Sequence, residues 1–82
     1  MGFALFQDVI LKQDVPEHGL RAGDVGTVVE RHIAAGKPDG YSVEFFDMTG
    51  RSVAVVTVAE TALRDPDPSD RPSVRVCGAA HA

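Results

Sequence analysis

Between Asp8 and Arg64 no apolar pattern at helical spacing runs long enough for an amphipathic helix. The apolar residues come instead in short β-branched runs cut apart by glycine and proline. A chain patterned in this way buries its apolar side chains by setting short strands against one another. Asp8 to Lys12, D-V-I-L-K, forms the first run. Q-D-V-P-E-H-G-L-R-A-G-D follows, punctuated by Pro16, Gly19 and Gly23 as an irregular loop, with Val15 biased to an extended conformation by the proline after it. Val25 to Arg31 reads as a second strand, bent or bulged where Gly26 lacks a side chain. His32 to Gly40, with Gly36, Pro38 and Asp39-Gly40, suits a hairpin connection. In Tyr41 to Phe46, Tyr41, Val43 and Phe45 alternate with Ser42, Glu44 and Phe46, the clearest two-residue period in the chain. Asp47 to Gly50 reads as a tight turn and Arg51 to Val58 as a fourth strand. Ala59 to Arg64 has room for one helical or 3₁₀ turn, too short to stand as a helix alone.

These pieces predict an all-β fold, a small SH3-like barrel of about five strands. The order is strand, long loop, strand, hairpin, strand, tight turn, strand, helical turn and last strand, the last drawn from around Leu63 or from Val74-Arg75-Val76. Closing such a sheet would remove edges that otherwise pair with other chains. Residues 1–64 form the expected domain. Residues 65–82 form a tail, with Pro66, Pro68 and Pro72 among charges as an extended, solvated linker and V-R-V-C-G-A-A-H-A as a flexible end. Gly19 and Gly23 suit positive φ in the first loop, and Asp24 can fold its carboxylate back onto the backbone there.

The 82 residues amount to one domain, hiding about 60–65% of the unfolded surface. Their 44% hydrophobic and 24% charged content is that of a globular chain, not a disordered one. One cysteine, Cys77, allows no disulfide within the chain and no cysteine-ligated zinc or iron–sulfur centre. The start has no basic region, its apolar run is broken by Gln7 and Asp8, and Phe6 stands where a myristoylation signal carries Ser or Thr. With no apolar run of transmembrane length, the expectation is a soluble, cytoplasmic protein. Twelve acidic against eight basic residues give a net charge of −4, which counts against nucleic-acid binding driven by phosphate contacts.

Asp8-Val9, Asp14 to Leu20, Ala22 to Val29, Tyr41 to Phe45 and Val53 to Val58 together resemble a small bacterial family, domain of unknown function four-nine-two-six. The likeness covers residues 8–64. Its "aGDxGtV" element is also similar to the turn and strand of KOW-type barrels. The resemblance implies a small SH3-like domain without an assigned activity, and the tail after Asp65 lies outside it.

Asp14, Glu17, His18 and Asp24 put oxygen and nitrogen donors in one loop, but at no metal-ligand spacing; they read as acids satisfying turn backbone. Cys77 and His81 would meet only on a helix, which Gly78 opposes. Ser42, Ser52, His18 and His32 supply residue types for nucleophilic hydrolysis without a motif linking them. A barrel filled by its own side chains leaves little room for a substrate pocket of ~300 Å³. The sequence therefore points to no enzyme, cofactor or metal.

What remains is the outside. Phe46 shares a face with Glu44 and Ser42, so an aromatic stands exposed while its strand neighbours are buried. Phe3, Leu5 and Phe6 either add to such a surface or close the bottom of the barrel. The expectation is a protein-binding module, of the antitoxin, immunity or accessory-subunit kind, whose acidic surface suits a basic partner. Phe46, Glu44, Phe3, Phe6 and Asp24 are its candidate contact residues. V-R-V-C can add a strand to a partner or to a second copy of the chain. The alternative, an RNA-associated KOW-like barrel, would gather Lys12, Arg21, Arg31, Lys37 and Arg51 around exposed aromatics.

Overall fold

Tyr41, Val43 and Phe45 point to one side of their strand, and the sheet curls around them. The computed structural model describes residues 2–77. It is all-β, with strands β1 (Asp8–Leu11), β2 (Val25–His32), β3 (Gly40–Phe46), β4 (Ser52–Ala59) and β5 (Leu63–Arg64). All pairing is antiparallel, in the order β4-β3-β2-β1-β5. Single 3₁₀ turns at Pro16–His18 and Glu60–Ala62 complete the element order expected for an SH3-like chain. The last strand comes from Leu63-Arg64 and pairs with Ile10 and Leu11; Val74 to Val76 form no strand.

The sheet curls into a half-barrel. β5 has two residues, too few to run along β4, and no ladder joins β4 to β5 among the described residues. The edges that closure would have removed are therefore present. Inside the curl, Val9, Leu11, Val28, Tyr41 and Val43 are fully buried, and Val15, Leu20, Phe45, Val56 and Leu63 pack with them. At about 25 cal/mol per Å² of apolar surface hidden, this single cluster is the main stabilising element.

Gly26 does not mark a bulge. It sits in regular pairing, opposite Val9 on one side and Phe45 on the other. The irregularity lies three residues on, where the β2–β3 register shifts at Val29. The reason for glycine is space: a Cβ there would stand 2.5 Å from Val43 Cγ1 and 2.9 Å from both the Glu44 carbonyl oxygen and Phe45 Cε2. Gly19 and Gly23 do adopt positive φ, +69° and +98°, in the loop between β1 and β2. Asp24 accepts a hydrogen bond from the Arg21 N–H at 2.9 Å, and Asp14 one from the Ala22 N–H at 2.9 Å, so two carboxylates fix that loop. In the β3–β4 turn the Asp47 carboxylate accepts from the Arg51 N–H and from the Thr49 hydroxyl and N–H. Those donors, Arg51 first, hold its pKa below the ordinary value.

The Pro-rich stretch after β5 is more than a spacer. Asp67 accepts from the Ser69 N–H and hydroxyl, and the Asp70 carboxylate takes both arms of the Arg64 guanidinium at 2.8 and 2.9 Å. Paired with Arg64 and bonded to the Asp67 N–H, Asp70 is lowered to a pKa of about 2. A carboxyl whose pKa falls on folding adds stability above its unfolded value, near 3.8, and loses it as the pH drops through about 2. Carboxyl carbon shifts should therefore show Asp70 titrating near 2 while the Arg64 tether opens in the same window. A midpoint near the ordinary value would mean that the pair is not held in solution.

Candidate functional site

Phe46 ends β3 on the outer face of the sheet and is 45% exposed. Glu44, two residues back, lies opposite Val55 of β4 on the same face and is half-buried. The β3–β4 register slips between Phe45 and Phe46, leaving Val53 as the extra residue, and both Val53 and Val55 are exposed. Phe46, Val53 and Val55 thus form an apolar strip on the outer face, with Glu44 in it. Its apolar side chains come from alternating positions whose inward neighbours, Phe45 and Val56, belong to the core.

The other candidates fall elsewhere. Phe3 is a core residue: its ring meets Tyr41 edge-on at 5.3 Å, and its N–H donates to the buried Tyr41 hydroxyl at 3.1 Å. An N-terminal phenylalanine carries no strand pattern, so nothing local announced that it would fold under the sheet. Phe6 is 73% exposed with φ +67°, held by its N–H on the Val28 carbonyl. Its strained backbone is tied to docking this segment on β2. Asp24 is engaged within the chain, accepting from Arg75 of the tail as well as from Arg21. With Arg75 also donating to the Gly19 carbonyl, the tail lies along the first loop.

Among the described residues, no three His, Cys, Asp or Glu side chains converge to hold a metal ion. His81 lies outside the described residues, so the Cys77–His81 spacing has no geometry here; Cys77 itself is exposed. The structure does join two residues that the sequence left unconnected. His32 Nε2 lies 2.8 Å from the Ser42 hydroxyl, which lies 2.8 Å from the Thr57 hydroxyl. Glu30 approaches the same Nε2 at 3.8 Å, and among the described residues no carboxylate pairs with Nδ1 as a relay requires. The group is a cross-strand polar network spanning β2, β3 and β4 on the outer face of the sheet.

Sequence reasoning missed the open side of β4. Along its second half runs a groove of about 280 Å³, between Val56–Ala59 and the loop Gln13–Glu17, with Ala62 also lining it. Asp14 and Glu17 stand on the loop wall, and neither joins an ion pair among the described residues. The signal was present: S-V-A-V-V-T-V-A between Arg51 and Glu60 has no charge and no proline, the two devices that usually protect an edge.

The family described as Domain of unknown function (DUF4926) matches residues 5–65, every strand included. The chain belongs to this family. No curated protein and no solved structure matches it. The DUF4926 match ends at Asp65, so Phe46, the β4 edge and the acidic loop wall all lie within the family's span, while Arg75 and Cys77 lie beyond it. No helix of this DUF4926 chain, among the described residues, is long and apolar enough to cross a membrane.

Proposed function

We propose that this DUF4926 domain is a non-enzymatic, cytoplasmic protein-binding module, acting as an antitoxin-like, immunity-like or accessory subunit for a basic protein. The apolar strip of Phe46, Val53 and Val55 on a domain of net charge −4 carries this reading. Apolar side chains ringed by polar surface provide contact area, and a net negative field draws a cationic partner and repels nucleic acid. The Ser42–His32 pair supports no competing chemistry, since Ser42 is buried and already bonded to Thr57.

Isotope-labelled protein titrated with an extended peptide of alternating lysine and valine is the first test. The peptide should shift amide resonances, and added salt should weaken the effect. The same peptide with glutamate for lysine, and a single-stranded oligonucleotide, should be silent. Phe46→Ser should cost under about 1 kcal/mol of stability, because the side chain is half exposed, yet weaken peptide binding about tenfold. Binding of the oligonucleotide in place of the lysine peptide would overturn the proposal in favour of an RNA-associated barrel.

A further inference from the structure

β4 is an eight-residue edge whose outer side no other strand covers. The Glu60 N–H donates to the carbonyl of Asp39, the residue just before β3, in register with the Tyr41–Val58 and Val43–Val56 pairs. Antiparallel alternation then turns the N–H and C=O groups of Val55, Thr57 and Ala59 away from β3. The Ala59 C=O is taken up by the 3₁₀ turn that it caps, and no strand among the described residues pairs with the other groups. An unpaired row of this kind is a template for another strand. The strand that fits here is constrained by the wall facing it, where Asp14 and Glu17 stand across the groove from Val56 and Val58.

We infer that the β4 edge and its groove take an extended, Lys- or Arg-bearing segment of a partner protein as a sixth strand. The segment pairs with Val55, Thr57 and Ala59 and sets its cationic side chains against Asp14 and Glu17. This placement rests on the basic-partner reading above and specifies its mode. Charge complementarity selects the occupant: a second copy of the chain would bring its own uncharged edge and set no cation against Asp14 and Glu17, on a molecule that already repels itself at net −4. The outer strip at Phe46 and Val53, next to Val55 on β4, then meets the end of the same segment that runs beyond the groove.

The test compares the lysine–valine peptide with a counterpart N-methylated at every residue, which keeps each charge and loses each backbone donor. Strand addition predicts that methylation weakens binding at least about tenfold. It also predicts that the amides of Val55, Thr57 and Ala59 become protected from exchange in the complex with the unmethylated peptide. Val55→Pro removes an N–H that faces the open edge and leaves the β3 ladder its own donors. It should abolish protection at Thr57 and Ala59, while Glu17→Lys should weaken binding several-fold with the fold unchanged. Should Val55→Pro fail to fold, the methylated peptide still decides. Equal binding of both peptides would overturn strand addition and leave the basic-partner reading standing. Silence towards both would overturn both. A peptide-free protein that sediments as a dimer, with Val55, Thr57 and Ala59 already protected, would mean that a second copy occupies the edge and would overturn the inference.

Discussion

Gly26→Val is expected to lower stability by about 2–4 kcal/mol, enough to leave a domain of this size barely folded. A Cβ at this position would stand 2.5 Å from Val43 Cγ1, a side chain that is itself fully buried and has nowhere to go. The Glu44 carbonyl oxygen and the Phe45 ring, each 2.9 Å away, close the other directions. Because Gly26 pairs with Val9 on one flank and Phe45 on the other, relief by moving the backbone would break the ladders that join β2 to β1 and to β3. Gly26→Ala should cost less than valine but more than a typical surface change. Urea unfolding measures both, and the midpoint should fall with an unchanged slope, since the surface exposed on unfolding stays the same. A loss under about 0.5 kcal/mol for valine would show that the core here is loose enough to absorb a whole isopropyl group, contrary to close packing.

That glycine also shows where sequence reading reached its limit. Alternation along Tyr41–Phe46 identified the inward face correctly, because a two-residue period is a local property that the sheet preserves. The β1–β2 loop was legible for the same reason: Gly19, Gly23 and Asp24 act through their own backbone and near neighbours. Gly26 looked like a kink because a missing side chain has two uses, bending and close approach, and only the residue across the sheet decides between them. Phe3 was ambiguous on similar grounds. Its partner, Tyr41, lies 38 positions away, and no local periodicity encodes that contact.

The candidate site divides in the same manner. Phe46 was legible as an exposed aromatic, since its parity opposes that of Tyr41, Val43 and Phe45. The groove was not, because it needs β4 and the Gln13–Glu17 loop side by side, two segments far apart in the chain. Expecting a closed barrel hid it further: closure would have made the uncharged run Ser52–Ala59 an interior strand, for which the lack of charge needs no explanation. In a half-barrel the same run is an edge, and the lack of charge becomes its most informative property.

The second large effect is expected at Tyr41, the largest fully buried side chain. Tyr41→Ala should cost about 3–5 kcal/mol, the range for deleting a buried aromatic ring whose cavity cannot collapse. Two contributions are separable. The ring packs edge-on against Phe3 at 5.3 Å and fills the curl between Val9, Val28 and Val43, whereas the hydroxyl accepts the Phe3 N–H at 3.1 Å. Tyr41→Phe keeps the first and removes the second, so it should cost about 1–2 kcal/mol, the range for leaving a buried donor without a partner. The loss should also be local in origin. With Phe3 untied, the segment leading to β1 is held on β2 mainly by the Phe6 N–H to Val28 and the Val28 N–H to Gln7, so exchange at Phe3 and Phe6 should quicken well before the β3–β4 amides respond. Uniformly faster exchange across the sheet in Tyr41→Phe would instead make the hydroxyl a support of the whole core, and would tie the N-terminal segment to the cooperative unit that carries the β4 edge.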